Sequence, residues 1–352
     1  MRILNLDAPF LVAAFRAAGH SVLSIGIAKH CDHCITHPVH AFHVYQQVCA
    51  QGFVPDAVFC CDSGNLPYFP AIESLPCPLA YYSIDTYYNP WHFSIAYAYD
   101  HIFVAQREHV PLFTSQNLSA EWLPLFAPAD TVSVRESVRD IPVTFVGTLA
   151  PKNIPERKPF LDAFRRIHPL FVTSGDYVNI FHRAQIVLNQ TAASELNFRC
   201  FEAMACGAAL LMEHSPHGLE ELFTPGEQLL PLYPRGNACE AAAIARAALQ
   251  QPLTLAKIAR QGQECVSLYH TDTHRAQYVV TVLENMVRQQ LQNRRMAELP
   301  LRRQHLCAAY AMLFDELNTP ALLQHKQFFL DLATTYTPST LLPTDTATSC
   351  KI

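Results

Sequence analysis

The chain has 352 residues, of which 50% are hydrophobic and 16% charged, so it is globular rather than intrinsically disordered and long enough for two domains. Its formal net charge of -5 at pH 7 provides no basic surface for nucleic acid, and we expect no nucleic-acid partner. The longest apolar runs have the length of strands, well short of the roughly 20 residues of a membrane span, so we expect no transmembrane segment.

Strands and helices alternate through the first 139 residues. Short apolar runs predict strands at 3–6, 21–25, 57–61, 79–84 and 101–105. Apolar residues at helical spacing predict helices at 10–18 and 41–51. This alternation is typical of a parallel sheet and predicts one Rossmann-like domain. The first turn, DAP, lacks the G-x-G-x-x-G sequence, which argues against a dinucleotide-binding fingerprint.

A cysteine- and histidine-rich segment, KHCDHCITHPVHAFH, follows the second predicted strand. It contains Cys31, Cys34 and five histidines from His30 to His43, and zinc favours such ligands. A metal site is therefore one interpretation. No second C-x2-C and no spaced pair of histidines completes a zinc-finger pattern. We favour the alternative, a polar loop that leads into a helix, and predict no metal.

Polar residues stand where ligands bind in open parallel sheets, beyond the carboxyl ends of strands. Asp62 follows one predicted strand and Asp85 follows the next. The segment YYSIDTYYNPWH adds aromatic rings and His92. A carboxylate or an imidazole can take a proton from a hydroxyl, so we predict Asp85 and His92 as catalytic residues. The alternative for Asp85 is a cap at the start of the next helix.

A linker is predicted at 129–140, because two prolines precede it and the sequence then becomes polar. The next predicted strand, 143–146, is followed by Gly147, where a ligand could approach the backbone closely. Lys152 and Arg157 follow; such cations suit a diphosphate, or they form the charged first turn of a helix. The remaining predicted strands are 170–173, 185–189 and 208–212, and the helices are 156–167, 177–184, 219–223, 238–249 and 255–268.

The segment SELNFRCFEAMACGAALLME predicts a helix capped by Ser194 and ended by Gly207, followed by a buried strand. The spacing i, i+4, i+7 relates Glu195, Arg199 and Glu202. We therefore predict that their side chains lie on one line along this helix. That line is either a solvated ladder of opposite charges or part of an anion site, because the start of a helix attracts phosphate.

The string NFRCFEAMACGAALL resembles the donor-binding segment of GT-B glycosyltransferases. The resemblance is closest to the spore-maturation-protein CgeB type, whose pattern is close to N-x-R-x-F-E-A-x-A-C-G-A-x-L-L. The segments VTFVGTL and GLEELFTPGEQLLPLY are also similar to this family. The resemblance covers roughly residues 1–285 and implies two Rossmann-like, doubly wound parallel-sheet domains that face a cleft.

The resemblance also implies roles for residues. Glu202 matches the glutamate that holds the ribose of a nucleotide sugar, and Asp85 matches an aspartate after the corresponding strand. The first glutamate of the wider E-x7-E motif falls at Ser194, so the chain departs from that motif, and Glu195 takes no role from it. The donor-binding residues predicted in this way are Gly147, Lys152, Arg157, Asn197, Arg199 and Glu202.

The predicted function is transfer of a sugar from a nucleotide-sugar donor to an acceptor hydroxyl, with retention and without a metal or other cofactor. Two alternatives stay open. One is a sugar-nucleotide epimerase of the same architecture, and the other is a non-catalytic nucleotide-sugar-binding scaffold. The sequence does not name the sugar, the nucleotide base or the acceptor.

The predicted domains are residues 1–139 on the acceptor side and 140–290 on the nucleotide-sugar side. We predict that residues 291–335 form a helical extension, which packs on the first domain or on a partner. We predict that residues 336–352 form a disordered tail. The twelve cysteines are scattered through predicted strands and helices, unlike a secreted disulfide framework. The amino-terminal residues also lack the layout of a signal peptide, so we expect a cytoplasmic protein.

Overall fold

A computed structural model describes residues 1–132, 138–149, 154–316 and 323–336. They form two parallel sheets with helices on their faces. This confirms the predicted α/β class and the two doubly wound sheets. The predicted tail beyond residue 336 and part of the predicted linker lie outside the described residues. The exact domain limits stay a prediction.

The first sheet has seven parallel strands in the order β3-β2-β1-β4-β5-β6-β7. Its strands are β1 Arg2–Asp7, β2 Ser21–Gly26, β3 His33–Cys34, β4 Ala57–Cys61, β5 Leu79–Ser83, β6 His101–Val104 and β7 Ala120–Trp122. Its helices are α1 Val12–Ala17, α2 Ala41–Ala50, α3 Trp91–Ile95 and α4 Val110–Thr114. Every residue of β4 and β5 is buried, because helices cover both faces of the sheet. The strand order changes direction between β1 and β4, which opens a crevice at their carboxyl ends.

The second sheet has four parallel strands in the order β11-β10-β8-β9. Its strands are β8 Ile141–Val146, β9 Phe171–Thr173, β10 Ala184–Asn189 and β11 Ala209–Met212. Its helices are α5 Arg157–Arg165, α6 Tyr177–Arg183, α7 Phe198–Ala205, α8 Leu219–Leu222, α9 Ala238–Leu249 and α10 Pro252–Tyr269. Here the order changes direction between β8 and β10, so a second crevice opens where Gly147 and Asn189 stand.

A long helix, α11 Asp272–Gln289, returns the chain from the second sheet to the first domain, where it packs against α1. Thr271 caps it, and the His274 side chain completes a capping box. Arg275 donates to the carbonyl oxygens of Pro124 (2.7 Å) and Leu125 (3.2 Å), which precede the second domain. Arg275 therefore links the two segments of the chain that pass between the domains.

The helical extension consists of α12 Gln292–Ala297, α13 Leu299–Glu316 and α14 Leu323–Tyr336. It packs on the first domain, which is one of the two predicted positions. Tyr310 and Phe329 join that domain's core, and the fully buried Arg295 pairs with Asp100 and donates to the carbonyl oxygen of Glu73 (3.0 Å). Among the described helices, none combines the length and the apolar character needed to cross a membrane.

The predicted start of α7 is wrong. Ser194 has a φ of 60° in the left-handed region, and the helix begins at Phe198 after Asn197, which is extended. The predicted end is confirmed, since Gly207 has a φ of 72°. Strands β3 and β7 were not predicted; they are edge strands of two and three residues.

Candidate active site

A cleft of about 300 Å³ opens at the carboxyl end of the second sheet, between β8 and the start of α7. Four of the predicted donor-binding residues line it together with residues that were not predicted. The predicted ones are Gly147, Asn197, Arg199 and Glu202, and the others include Gly175, Tyr177 and Phe198. Segments far apart in the sequence therefore converge on one site.

The start of α7 lines this cleft, and the first N–H groups of a helix have no intrahelical partners. Asn197 stands at the cap position, but its side chain pairs with that of Asn189, with Nδ2 to Oδ1 distances of 3.1 and 3.3 Å. The helix start is thus left open for an anion, which its dipole favours.

Arg199 is held rigidly at the floor of the cleft. Its Nε donates to the Val146 carbonyl oxygen (2.9 Å), its Nη1 donates to Asn189 Oδ1 (2.7 Å), and the guanidinium lies 4.6 Å from the centre of the Phe145 ring. Its Nη2 has no hydrogen-bond partner among the described residues. Burial lowers the pKa of Arg199 to about 10, so the side chain stays charged at neutral pH and offers a free donor to an anion.

Gly147 makes room for this arginine. A Cβ built on Gly147 would lie 2.5 Å from Arg199 Nη2 and 3.3 Å from the Phe145 ring. Gly147 was predicted to allow close approach of a ligand. In the structure it allows close approach of Arg199, which lines the cleft.

We expect Gly147→Ala to lower donor affinity about tenfold, because the added methyl group pushes the guanidinium out of place and charged hydrogen bonds are worth about 1.5–3 kcal/mol. Calorimetry with a nucleotide sugar measures the effect. A double-mutant cycle with Arg199→Ala provides the control: in the arginine-free protein the alanine at residue 147 should change affinity no further. A full tenfold loss in that background would show that the methyl group acts on something else.

Glu202 lies one turn further along α7 and faces the Tyr177 hydroxyl. Burial raises the pKa of Glu202 to about 7, while the Tyr177 hydroxyl and the Arg199 guanidinium act in the opposite direction. Both the ionised and the neutral carboxyl are therefore populated near neutral pH. Tyr177 was predicted only as part of a helical face, and its pairing with Glu202 depends on the packing of α6 beside α7.

Arg157 lies outside this cleft. It is buried, and it donates from Nε to Gln190 Oε1 (2.7 Å) and from Nη1 to the Thr148 carbonyl oxygen (3.0 Å). Burial lowers its pKa, and the nearby Glu195 carboxylate opposes that effect. The predicted Lys152 lies outside the described residues.

Glu195 does not lie on α7, so the predicted charge ladder from Glu195 to Glu202 is wrong. Its buried carboxylate turns back and accepts hydrogen bonds from the backbone N–H groups of Ala192 (2.9 Å) and Ala193 (2.6 Å). It closes a tight loop between β10 and α7. This loop faces the first domain, since the neighbouring Leu196 N–H donates to Gln106 Oε1 (3.0 Å). The charge of Glu195 also acts on Asp85 and Tyr87.

Asp85 stands just beyond the carboxyl end of β5, in the first domain. Tyr87 donates to its Oδ1 (3.2 Å). Burial, followed by the charges of Asp62 and Glu195, raises the pKa of Asp85 to about 6. The capping alternative is not what the structure shows, since Pro90 occupies the cap position of α3. The charge of Glu195, in the second domain, acts on the Asp85 carboxyl of the first domain.

His92 does not reach this cleft, which corrects its predicted role. Its side chain is fully buried, with Nδ1 2.8 Å from Ser83 Oγ and Nε2 3.1 Å from the Tyr81 hydroxyl. Burial lowers the pKa of His92, so the ring is neutral at neutral pH. The local motif gave no sign that α3 turns this histidine into the core.

The cysteine–histidine segment forms a loop that contains the two-residue strand β3, and then the start of α2. The Cys31 thiol donates to the Asp7 carbonyl oxygen (3.6 Å), the Cys34 thiol donates to that of Ala28 (3.3 Å), and His40 Nδ1 accepts from the N–H of Phe42 (3.3 Å). In the described part of the chain no three potential metal ligands lie together.

The two domains contact each other at the start of α7. The buried Gln106 side chain of the first domain accepts from the Leu196 N–H (3.0 Å) and donates to the Leu196 carbonyl oxygen (3.4 Å). The rings of Phe10 and Phe126 pack on Phe198, with centroid distances of 5.0 and 5.4 Å. The start of α7 is thus fixed against the first domain.

Comparison with known proteins gives one family match and several structures of the same fold. Residues 132–281 match the model of the family described as glycosyl transferase-like. HepE of Anabaena, solved with UDP and glucose, shares 14% identity and a TM-score of 0.63, over 81% of this chain and 100% of that one. The chain has the GT-B glycosyltransferase fold. The family match and this fold together indicate a glycosyltransferase enzyme, whereas the CgeB type stays a prediction.

Other GT-B structures align over the same share of the chain. The sucrose-phosphate synthase of Thermosynechococcus elongatus shares 12% identity and a TM-score of 0.62, over 81% of this chain and 99% of that one. A glycosyltransferase of Rickettsia africae shares 8% identity and a TM-score of 0.60, over 81% and 98%. No curated protein matches the sequence. At these identities the GT-B likeness shows the fold alone.

Proposed function

We propose that this protein transfers a sugar from a UDP-sugar to an acceptor hydroxyl, with retention of configuration at the anomeric carbon and without a metal ion. The observation that carries the proposal is the second-domain cleft. It combines an open helix start, the free Nη2 of Arg199 and the Glu202 carboxyl. A nucleoside diphosphate has complementary groups in the same order. Its two phosphates match the helix start and Arg199, and its ribose hydroxyls match Glu202.

On the donor side, the start of α7 and Arg199 bind the diphosphate and stabilise the charge that develops on the leaving UDP. Glu202 accepts hydrogen bonds from the ribose hydroxyls. UDP is proposed because structural neighbours were solved with UDP, with UDP and glucose, and with UDP-glucose. Retention and metal independence are proposed from the resemblance of the α7 segment to GT-B transferases.

On the acceptor side, Asp85 orients the hydroxyl and accepts its proton. The acceptor oxygen forms a bond to the anomeric carbon on the same face from which UDP departs, the bond from that carbon to the UDP oxygen breaks, and UDP leaves with the electron pair, so the configuration is retained. With a pKa of about 6, the Asp85 carboxyl is mostly ionised at neutral pH, as a proton acceptor requires. The epimerase and scaffold alternatives are not favoured by the comparisons.

Donor binding should strengthen as the pH rises from 6 to 8. With a pKa of about 7, roughly one Glu202 in ten is ionised at pH 6 and nine in ten at pH 8, and only the carboxylate accepts from both ribose hydroxyls. We therefore expect the Kd for UDP-glucose to fall by up to about tenfold over this range. UDP-glucose is the suitable probe because its diphosphate does not titrate there. A Glu202→Gln protein should show a flat profile, and a steep profile in that variant would exclude Glu202 as the source.

The reaction itself is tested by product analysis. The protein is incubated with UDP-glucose and a panel of hydroxyl acceptors in the presence of EDTA, and NMR reads the anomeric configuration of the product. The proposal predicts an α-linked product from α-configured UDP-glucose. A β-linked product would overturn retention, loss of turnover with EDTA would overturn metal independence, and isomerised UDP-sugar without transfer would favour the epimerase.

A further inference from the structure

Three carboxylates stand at the carboxyl ends of neighbouring strands of the first sheet: Asp7 on β1, Asp62 after β4 and Asp85 after β5. The proposed reaction uses only Asp85. Asp62 is 3% exposed, so it cannot contact an acceptor directly. Buried charges are costly unless they are well hydrogen-bonded, so the contacts of Asp62 indicate what it does.

Asp62 binds the backbone that carries Asp85. Its Oδ2 accepts hydrogen bonds from the N–H groups of Asp85 (2.8 Å) and Ile84 (3.2 Å), and its Oδ1 accepts from the N–H of Gly64 (2.8 Å). A carboxylate that bridges two loops in this way fixes the position of both. Asp62 thereby joins the loop after β4 to the loop after β5.

The loop after β4 also encloses the Asp85 side chain. Gly64 has a φ of 72°, and a Cβ built on it would lie 2.9 Å from Asp85 Oδ2. Only glycine adopts this conformation without strain and leaves space for the carboxylate. The Asp85 carboxyl is therefore bounded by the glycine on one side and by the Tyr87 hydroxyl on another.

We propose that Asp62 is the positioning residue that holds the Asp85 carboxyl in place beyond the carboxyl end of β5. The proposal rests on the proposed catalytic role of Asp85. It also gives His92 a role, since His92 Nε2 lies 3.7 Å from Asp62 Oδ2 and its ring packs behind that carboxylate. His92 supports Asp62 from within the core, without contacting substrate.

Several charged groups act on Asp85. Asp62 on the neighbouring loop and Glu195 of the second domain raise its pKa, whereas the Tyr87 hydroxyl lowers it. Asp7 borders Asp62, and burial raises its own pKa to about 7. The buried His92 is neutral and does not cancel the charge of Asp62. Removing the Asp62 charge should therefore lower the pKa of Asp85.

The test compares Asp62→Asn with the wild type in two measurements. First, carboxyl ¹³C NMR titration, with the Asp85 signal assigned from its absence in Asp85→Asn, should show a pKa lower by about half a pH unit or more. Second, turnover of UDP-sugar should fall about tenfold, the acidic limb of its pH profile should move to lower pH, and the donor Kd should not change. Asp56→Asn, the same change at the amino end of β4, should match the wild type in both measurements.

Wild-type turnover, an unmoved acidic limb and an unmoved Asp85 titration in Asp62→Asn would overturn the proposal. If Asp62→Asn does not fold, Gly64→Ala replaces it and should lower turnover with the donor Kd unchanged; full activity in that variant also contradicts the proposal. If the wild type itself turns over no UDP-sugar, the proposed function fails, while the NMR titration still decides the role of Asp62.

Discussion

Asp85→Asn should lower turnover of UDP-sugar by about 100-fold or more and leave donor binding unchanged. Asparagine has nearly the same shape and keeps the hydrogen bond from Tyr87, but it cannot accept a proton. Proton transfer by a positioned carboxylate contributes roughly 10²–10⁴ to rate. Asp85 lies in the first domain and the donor cleft in the second, so the loss should be confined to kcat.

The measurement is kcat by UDP release together with the donor Kd by calorimetry. Asp56→Asn is the matched control, since Asp56 lies at the amino end of the same sheet and only accepts from the Arg2 N–H. An equal loss of kcat and of donor affinity in Asp85→Asn would place Asp85 on the donor side. Unchanged turnover in a folded variant would remove it from the reaction.

Glu202→Ala should weaken UDP-sugar binding by about 2 kcal/mol, which is roughly a 30-fold rise in Kd. The substitution removes the acceptor for the ribose hydroxyls. It leaves the contacts of Arg199 with Val146 and Asn189 in place, so phosphate binding should persist. The variant should therefore lose more affinity for UDP-sugar than for pyrophosphate.

Glu264→Ala is the control for this prediction. Glu264 is an exposed glutamate on α10 that pairs with Arg260 and is not among the residues that line the cleft, so its removal should not change Kd. Thermal unfolding establishes that both variants are folded. Wild-type donor affinity in folded Glu202→Ala would exclude Glu202 from the donor site.

Much of the fold could be predicted because the strands are buried on both faces. Such strands appear in the sequence as continuous apolar runs, as in β4, β5 and β11, and Gly207 marks the end of α7. Edge strands of two or three residues leave no comparable pattern, which is why β3 and β7 were missed. The start of α7 was placed too early because Ser194 is a good capping residue in a position where the chain instead turns left-handed.

The donor cleft was partly predictable because its residues sit in one short segment with a recognisable pattern. Tyr177 was missed because its contact with Glu202 joins two helices. The burial of His92 depends on how α3 packs on β5, which a local motif does not encode. The contact between Asp62 and Asp85 could have been anticipated, since both follow neighbouring parallel strands at the same edge of the sheet.

The central claim is that the second-domain cleft binds a nucleotide sugar. The most direct measurement is calorimetry of the full chain against UDP-, GDP- and dTDP-sugars without metal, with Glu202→Ala in parallel. We expect a UDP-sugar to bind with micromolar affinity, and we expect Glu202→Ala to weaken that binding about 30-fold. Absence of binding across the panel, or binding that Glu202→Ala leaves unchanged, would contradict it.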